Sequence, residues 1–388
     1  MGRRRSTGDS ARRGGGRLSG VSRDCAMTAA TTAPVRWNDD ISAFEITGHA
    51  EASHILRGTG WSSDPRRNPL ISHDFAALSP ATVLFMDPPD HTRLRRLISP
   101  AFTPRAIEAL RPRVRAIVAA ALDGLDAEPD LLAEFAYLVP LAVIAELLDV
   151  GADGAELLQA ETPALARLLE IDVSAAEVAA AAEAGLEVTL FLTPLIAQRR
   201  QHPGDDFISA LLREPEITLD EVLATTMLLL AAGHETTANV IANGALALLQ
   251  SPDQVPQLIA DPIRGIEEIL RLCGPVKLVG RTAIGAHEVG GQLIDDGQAA
   301  LIRIPDTNRD PRVYQRPGAF ELARKPAPNL AFGAGAHYCL GAALARLEAA
   351  EALSALFTRY RHMRLLSEPR WRESTTFAAL LELPVELA

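Results

Sequence analysis

The chain has 388 residues, of which 48% are hydrophobic and 22% charged, a composition that supports a large buried core. Its formal net charge of −11 at pH 7 argues against nucleic acid as a partner. The three cysteines, Cys25, Cys273 and Cys339, are scattered and odd in number, so they indicate no disulfide framework, and we expect the reducing environment of the cytoplasm.

The first 26 residues carry seven arginines among glycine and serine and almost nothing apolar. Because such a segment cannot bury a core, we predict a disordered tail at 1–26, with Met27 as an alternative start, and a single domain at 27–388. No hydrophobic stretch follows the Arg12–Arg13 pair, so a twin-arginine export signal is not indicated. No segment reaches the about 20 apolar residues that span a bilayer, and we predict no membrane partner.

Helical spacing of apolar residues dominates the rest of the chain. Helices are predicted at 104–125, 131–149, 155–170, 175–200, 219–250 and 343–358. Strand-like alternation is predicted at 41–47, 279–304 and 377–387. Many helices with a few segregated strands indicate a fold that is mainly α with small β-sheets.

The predicted helix at 219–250 is the most informative of these. Thr218 and Glu221 form the pattern of a capping box at its start, and the residues that follow are apolar on nearly every face. A helix that is apolar all round is buried. At a rise of about 1.5 Å per residue it extends about 48 Å, enough to cross a large domain.

The middle of this helix, residues 232–237, has the sequence AGHETT. A buried carboxylate is costly unless it is partnered, and Gly233 costs about 1 kcal/mol relative to alanine inside a helix. Two interpretations are open: a reactive pair at Glu235 and Thr236, or a threonine back-bond that bends a core helix. For His234 we expect a helix-face histidine with a satisfied hydrogen bond rather than a metal ligand or proton shuttle.

A glycine-rich loop, residues 332–341 with the sequence FGAGAHYCLG, holds Cys339 directly before a helical pattern. Gly333, Gly335 and Gly341 permit backbone angles or close approaches that a Cβ forbids. Unpaired N–H groups at a helix N-terminus favour a thiolate. A lone thiolate suits haem iron better than zinc because porphyrin supplies four ligands. The alternative is a buried free cysteine in a turn before a helix.

This loop resembles the haem-binding signature of the cytochrome P-450 family, Phe-Gly-x-Gly-x-His-x-Cys-x-Gly, at every fixed position. The resemblance implies the cytochrome P-450 fold, with a long central helix over haem b (iron protoporphyrin IX). It implies Cys339 as the iron ligand and Phe332, Gly333 and Gly341 as cofactor-binding residues. Arginine outnumbers lysine 36 to 2, a bias typical of high-GC bacterial genomes, so we expect a soluble bacterial member.

Residues 232–237 resemble the Ala/Gly-Gly-x-Asp/Glu-Thr-Thr motif of the same family. The resemblance implies that Thr236 donates a hydrogen bond to dioxygen at the iron and that Glu235 relays protons toward it. It implies a monooxygenase that inserts one oxygen atom from O2 into an apolar or amphipathic small metabolite, by hydroxylation or epoxidation, in secondary metabolism.

Glu268 and Arg271 stand at i and i+3 on one predicted helix face, where an isolated pair is usually a weak surface ion pair. They resemble the Glu-x-x-Arg helix of the family, which implies a buried structural pair that locks the cysteine loop. A third basic residue often completes this pair, and Arg324 and Arg309 are both candidates.

Haem propionates are anions that need cations or strong donors. The resemblance implies this role for four residues: His91, Arg95, Arg281 and His337. The alternative for each one alone is an exposed charge. By family analogy the substrate pocket is mostly apolar, with four predicted wall residues: Phe85, Ala232, Leu278 and Phe377.

The chain carries no flavin or dinucleotide fingerprint and no ferredoxin-like cysteine cluster, so electrons must come from another protein. The resemblance implies a separate ferredoxin and ferredoxin reductase as partners. Four arginines are either the docking face for an acidic ferredoxin or solvated helix charges: Arg93, Arg96, Arg105 and Arg111.

Three other functions are left open. An atypical family member would perform oxidative coupling, desaturation or peroxide-driven oxidation, although the Glu235–Thr236 pair favours ordinary dioxygen activation. A haem-thiolate sensor or gas carrier would bind haem without catalysis. A helical protein without haem would show no Soret band at all.

Overall fold

The structure, a computed structural model, describes residues 33–71, 82–171 and 173–387. The tail predicted at 1–26 and its boundary with the domain lie outside the described residues. Helices predominate, as the sequence predicts. The helices α1 to α12 are His49–Arg57, Asp90–Ile98, Pro104–Asp123, Leu138–Leu148, Gly151–Ala166, Ala175–Gln201, Phe207–Leu212, Leu219–Gln250, Val255–Ala260, Pro262–Cys273, Ile304–Thr307 and Ala342–Arg359.

The strands are short and form small sheets, which confirms the predicted fold class. The strands β1 to β11 are Val35–Asn38, Ala43–Ile46, Trp61–Ser62, Leu278–Ala283, His287–Val289, Gln292–Ile294, Ala299–Arg303, Arg364–Leu365, Arg370–Trp371, Leu380–Glu382 and Val385–Glu386. Five of them form one sheet in the order β1-β2-β7-β4-β3, in which β2 and β7 run parallel and the other neighbours antiparallel.

This sheet builds a second core beside the main helical one. Ile46 and Ile302 from the sheet pack with Ile55 of α1, and the same cluster includes Leu330 and Ala334 from the segment that leads to Cys339. The sheet and α1 therefore support one side of the cysteine loop.

The longest described helix, α8, lies at the predicted position. Thr218 accepts a hydrogen bond from the N–H of Glu221, and the Glu221 side chain accepts one from the N–H of Thr218, so the predicted capping box is confirmed. Every residue from 237 to 246 is buried. The helix packs against α4, α5, α10 and α12, so it crosses the main core.

The helix predicted at 131–149 is divided in two. A π-helical turn, Leu132–Ala136, precedes α4, and the N–H of Tyr137 donates to the carbonyl of Leu132, five residues back, at 2.9 Å. Such turns are rare and frequently lie at functional sites. Here the turn brings the Tyr137 ring to 5.2 Å from the ring of His234 in α8.

Helix α6 has the length and composition of a membrane span, a feature that the sequence analysis did not anticipate. Its 27 residues include an 18-residue window of mean hydropathy 1.4, of which 28% is buried. It is the one such helix in the described ranges. It packs against α5, α7 and α8, and a core helix of a globular protein passes the same test.

Candidate functional site

The loop that carries Cys339 is shaped by two glycines and closed by one backbone bond. Gly333 and Gly335 have φ angles of 66° and 72°, a region that side chains disfavour. An added Cβ at Gly335 would lie 2.2 Å from the carbonyl oxygen of Leu56 in α1. The N–H of Cys339 donates to the carbonyl of Phe332 at 3.0 Å, which closes the loop.

Gly341 differs from these two glycines. Its φ is −81°, and an added Cβ would meet no protein atom within 4 Å, so the expectation that its backbone requires glycine is wrong. Gly341 is the N-cap of α12, and its N–H donates to the sulfur of Cys339. Beside the sulfur there is therefore a space that a Cβ would fill.

Cys339 is exposed as a residue, although its thiol group is surrounded by protein atoms. The residue is exposed, yet desolvation by its surroundings raises the pKa of the thiol, against the opposing effects of the Gly341 N–H and the charges of Arg95 and Arg346. Both observations hold for a residue that lines a cavity. Burial outweighs the helix terminus, contrary to the sequence-based expectation, so a bound metal ion would be needed to stabilise the thiolate.

Four basic side chains lie close to one another at the cysteine loop: His91, Arg95, Arg281 and His337. The rings of His91 and His337 are 4.1 Å apart between centroids. Burial lowers the pKa of all four, with added repulsion from the neighbouring cations at the two histidines, so that the pKa of His337 falls to about 3 and that of Arg281 to about 10. In the described part of the chain no carboxylate forms an ion pair with any of them.

These residues fit a haem. The buried guanidinium of Arg281 needs an anion, and both ring nitrogens of His91 are buried without a partner among the described residues. The two propionates of a haem would supply this anion and a hydrogen-bond partner for His91. The Cys339 sulfur would bind the iron of a haem, whose porphyrin would supply four further ligands. The structure thus brings together the four predicted propionate residues and Cys339 from distant parts of the chain.

Phe332 and Arg346 fix the loop to the helices around it. The guanidinium carbon of Arg346, in α12, lies 4.5 Å from the centroid of the Phe332 ring. Arg346 also forms an ion pair with Glu267 of α10 and donates to the Tyr338 hydroxyl at 3.1 Å. One arginine therefore joins the loop to both α10 and α12.

Glu268 and Arg271 form the buried pair that the resemblance implied. Arg271 donates from Nε and Nη2 to the two carboxylate oxygens of Glu268 at 2.7 and 2.8 Å, and the side chains are 3% and 4% exposed. Arg271 also donates to the carbonyl of Asn308 at 2.8 Å, and the Asn308 side chain accepts from the N–H of Leu330 at 2.8 Å. The pair is thus linked to the start of the cysteine loop.

Arg324 is the third basic residue of this network. Its Nε donates to Oε1 of Glu268 at 3.1 Å. Arg309, the other candidate, donates to the backbone carbonyls of Leu272 and Pro305. Of the two candidates from the sequence, Arg324 is therefore the residue that completes the Glu268–Arg271 pair.

The middle of α8 lies where the half-buried N-terminal part of the helix meets its fully buried C-terminal part. Ala232, Gly233 and Thr236 are half-buried, whereas every residue from 237 to 246 is buried. The Thr236 hydroxyl donates to the carbonyl of Ala232, four residues back, at 2.7 Å. An added Cβ at Gly233 would lie 3.3 Å from Ile144 Cδ1, so this glycine also lets α4 approach closely. The hydrogen bond that the back-bond interpretation requires is therefore present, and Thr236 is still partly exposed.

Glu235 is 3% exposed and held by donors that the sequence analysis missed. Nη1 of Arg372, the residue after β9, lies 2.8 Å from Oε1 of Glu235, and the amide of Asn239 lies 3.3 Å from the same oxygen. The Tyr137 hydroxyl also forms a hydrogen bond with this carboxylate. No local pattern signals Arg372, because it lies more than a hundred residues further along the chain.

His234 is the helix-face histidine that the sequence predicts. It is 3% exposed, its Nε2 lies 3.1 Å from the carbonyl oxygen of Tyr137, and burial lowers its pKa. The expected hydrogen bond is thus confirmed.

Comparison with known proteins identifies the family. The sequence model of the family described as Cytochrome P-450 matches residues 188–260 and 264–386. The chain belongs to the cytochrome P-450 family. It is 40% identical over 336 residues to Cytochrome P-450 107B1 of Saccharopolyspora erythraea, which covers 83% of the chain and 80% of that protein. It is 35% identical over 383 residues to the 6-deoxyerythronolide B hydroxylase of the same organism, with 92% and 93% covered.

Solved structures agree with this assignment. The complex of P-450BioI with an acyl carrier protein ligated by hexadec-9Z-enoic acid matches with a TM-score of 0.86 at 33% identity, over 92% of the chain and 95% of that chain. This cytochrome P-450 is therefore a haem-thiolate oxidoreductase of the monooxygenase class, which acts with O2 on a small-molecule substrate.

The predicted pocket residues of this cytochrome P-450 differ in their surroundings. Phe85 and Ala232 are half-buried, whereas Phe377 is 5% exposed. Leu278 is 7% exposed and belongs to an apolar cluster with Ile41 and Leu301 from the sheet. Leu278 thus has a packing role in addition to the one predicted for it.

Most of the arginines predicted to face a ferredoxin already have acidic partners. Arg93 pairs with Glu221 and Arg96 with Glu216, and Arg111 pairs with both Glu108 and Glu351. Arg105 is exposed and forms no ion pair in the described ranges. The four arginines together therefore present less free positive charge than the sequence suggests.

Proposed function

We propose that this cytochrome P-450 inserts one oxygen atom from O2 into an apolar or amphipathic small metabolite of secondary metabolism, by hydroxylation or epoxidation, in the cytoplasm. The observation that carries the proposal is the pairing of a buried Glu235 with a half-buried Thr236 on the long central helix, in a chain whose loop presents Cys339. Relatives named as a hydroxylase and as Nocardicin C N-oxygenase support it, at 35% identity each.

The proposed cofactor is haem b. Cys339 would ligate the iron, with Phe332, Gly333 and Gly341 shaping the loop around the sulfur. The propionates would be held by the four basic side chains described above. When bound, the haem supplies an electron-rich, thiolate-ligated iron that activates dioxygen.

The chain contributes proton management and exclusion of water. Thr236 is half-buried, and a rotation about χ1 would turn its hydroxyl proton from the Ala232 carbonyl toward dioxygen. Arg372 and Asn239 converge on Oε1 of Glu235, so this carboxylate would hold or return a proton at its other oxygen, Oε2. Apolar side chains such as Phe85 and Phe377 keep bulk water away.

Electrons would come from a separate ferredoxin and its reductase. The sequence contains no flavin fingerprint and no ferredoxin-like cysteine cluster, and Arg105 remains an exposed cation for an acidic partner. Because Arg93, Arg96 and Arg111 have intramolecular acidic partners, we expect a modest dependence of the association rate on salt concentration.

The first experiment is the difference spectrum of the reduced protein with carbon monoxide. Thiolate-ligated haem gives a strongly red-shifted Soret band, which Cys339→Ser should abolish. A protein that stays colourless after addition of haemin would contradict the proposal. A substrate screen follows, with 6-deoxyerythronolide B, testosterone and hexadec-9-enoic acid as probes, read as a low-to-high-spin shift.

Turnover then distinguishes the enzyme from a sensor or a gas carrier. A plant ferredoxin, its reductase and NADPH are supplied with the probe that gives the largest spin shift. We expect an oxidised product that depends on O2. Binding without product under these conditions would favour the sensor, and product from hydrogen peroxide alone at an equal rate would favour a peroxide-driven member.

A further inference from the structure

The Glu235 carboxylate is enclosed by donors from three separate parts of the chain. We call these residues, Tyr137, Asn239 and Arg372, the Glu235 cage. Asn239 comes from the next turn of α8, Tyr137 from the π-helical turn before α4, and Arg372 from the segment after β9. A buried carboxylate requires such partners, and their number fixes its orientation.

Tyr137 occupies its place in the cage because of the π-helical turn. The bond from its N–H to the carbonyl of Leu132 spans five residues, so Tyr137 is displaced relative to a regular α-helix. Burial and the negative charge of Glu235 raise the pKa of the Tyr137 hydroxyl. The phenol therefore stays a donor to the carboxylate.

Arg372 is shared between two buried carboxylates. Its Nη1 lies 2.8 Å from Glu235, and its Nη2 donates to Oε1 of Glu170 at 3.0 Å. The Glu170 side chain is 0% exposed and also accepts from Arg167 at 2.7 Å, and Arg167 in turn donates to Glu177 at 2.7 Å. A continuous chain of ion pairs thus runs from the start of α6 to Glu235.

We propose that Arg372 is a positioning residue of the monooxygenase reaction, which holds the Glu235 carboxylate in the orientation from which it serves proton delivery. This inference rests on the proposed function. Arg372 acts through Glu235 and does not touch substrate. A guanidinium suits this task because its planar fork reaches two carboxylates at once, which a lysine ammonium cannot do with the same geometry.

Loss of Arg372 has a defined consequence. Two buried carboxylates, Glu235 and Glu170, lose their shared cation, which is costlier than the loss of a surface pair. Glu235 then leaves its position, and Arg372→Gln should reproduce the defect of Glu235→Gln. Arg372→Lys keeps the charge but reaches one carboxylate, so it should recover part of the function.

The experiment uses the haem-loaded protein with ferredoxin, reductase, NADPH and the probe selected above. Product formed per NADPH consumed is measured for Arg372→Gln, Glu235→Gln and the double variant. We expect each single variant to lower this ratio about tenfold and the double variant to lower it no further. The probe's dissociation constant, from the spin shift, should stay within about twofold of wild type.

Arg312→Gln is the matched control. Arg312 also bridges two carboxylates, Glu51 and Asp310, each at 2.7 Å, but lies outside the proposed site. Arg312→Gln should leave the ratio of product to NADPH unchanged.

If Arg372→Gln fails to bind haem, Glu170→Gln replaces that variant. Glu170→Gln frees Arg372 for Glu235 alone and should keep the wild-type ratio. A fall of the ratio to the Glu235→Gln level would overturn the proposal.

A second measurement needs no turnover. In urea unfolding of the haem-free protein, the effects of Glu235→Gln and Arg372→Gln on the unfolding free energy should be non-additive. The effects of Glu235→Gln and Arg312→Gln should add.

In the turnover experiment, a normal product ratio for Arg372→Gln beside a low ratio for Glu235→Gln would overturn the positioning role and leave the proposed function intact. A normal ratio for Glu235→Gln would overturn both, and a wild-type protein without product would point to the proposed function itself.

Discussion

An added Cβ at Gly335 would lie 2.2 Å from the carbonyl oxygen of Leu56 and 2.8 Å from Cα of Arg57. These are backbone atoms, which cannot shift without a large cost in free energy. The φ of 72° adds strain for any side chain at this position. We expect Gly335→Ala to lower the free energy of unfolding by about 2–4 kcal/mol and to reduce the haem retained on purification. Urea unfolding and the ratio of Soret to protein absorbance measure the two effects.

Gly318→Ala is the control for this substitution. No protein atom lies within 4 Å of a Cβ added at Gly318. We expect a change within about 0.5 kcal/mol. An equal loss in the two variants would show that the contact between the loop and α1 has no special role.

The ion-pair network around Glu268 gives a second prediction. Arg324→Gln removes the charged donor that reaches Oε1 of Glu268 at 3.1 Å, in a site where the carboxylate is 4% exposed. We expect a loss of about 1–3 kcal/mol in unfolding free energy and faster loss of haem, because the network is linked to the loop through Asn308.

Arg309→Gln serves as the comparison, since Arg309 bonds to backbone carbonyls near the same helix end. Its effect on haem retention should be smaller than that of Arg324→Gln. The reverse order would mean that the contact to Glu268 is not what stabilises the loop.

Replacement of Arg281 should have opposite effects on the stability of the haem-free protein and on the retention of haem. Burial lowers its pKa to about 10, and no ion pair compensates its charge in the described ranges. Arg281→Gln should therefore stabilise the haem-free protein by about 1–3 kcal/mol, because it removes a buried unpaired charge. The same change should speed haem dissociation about tenfold, since a propionate loses its cation. Urea unfolding and transfer of haem to apomyoglobin measure these effects.

Arg303→Gln, on the neighbouring strand β7, provides the contrast. Arg303 forms ion pairs with Asp306 at 2.6 Å and Glu45 at 3.3 Å. Its loss should destabilise the haem-free protein. If Arg281→Gln destabilised the haem-free protein as well, the basic cluster would not be the uncompensated site that we describe.

The sequence predicts features that depend on local chemistry. The capping box at Thr218 and Glu221 is a contact between residues three apart, so the start of α8 is readable from the pattern. The cysteine loop is a contiguous motif, so it can be recognised in the sequence. Its glycines indicate turns with backbone angles that other residues rarely adopt. Gly341 shows the limit, because the pattern alone does not reveal that its φ is ordinary.

Features that depend on tertiary packing cannot be predicted from local sequence patterns. Nothing near Arg372 in the sequence indicates that it meets Glu235, because the contact arises when the segment after β9 packs beside α8. The π-helical turn before Tyr137 is likewise invisible, since apolar spacing over 131–149 fits a regular helix. The raised pKa of Cys339 comes from surrounding side chains that no local rule counts.

Stability in acid should depend on Glu177 at the start of α6. Its carboxylate accepts from the backbone and hydroxyl of Ser174 and from Arg167, which lower its pKa to about 2 from 4.5. Because the unfolded chain binds the proton first, the stabilisation is complete above about pH 4.5 and is lost as the pH falls toward 2. Since the side chain is 36% exposed, we expect about 1 kcal/mol.

Unfolding free energies of wild type and Glu177→Gln between pH 2 and 7 check this expectation. The two curves should be separated by that amount at pH 6 and converge near pH 2. Parallel curves across the whole range would show that the contacts of Glu177 with Ser174 and Arg167 are not the source of the pH dependence.

The Thr236 hydroxyl decides between the two interpretations of the motif in α8. Thr226, in the same helix, makes the same kind of back-bond, to the carbonyl of Val222 at 2.8 Å, and is fully buried. If the back-bond alone matters, Thr236→Ala and Thr226→Ala should have similar effects on unfolding and none on product yield per NADPH.

If Thr236 directs protons to dioxygen, Thr236→Ala should lower the product yield about tenfold and release hydrogen peroxide in its place, whereas Thr226→Ala keeps the wild-type yield. Peroxide and product are measured in the same reaction, so that lost product is accounted for. An unchanged yield in Thr236→Ala would leave Thr236 as a helix-bending residue, because its donation to the Ala232 carbonyl at 2.7 Å would then be its whole role.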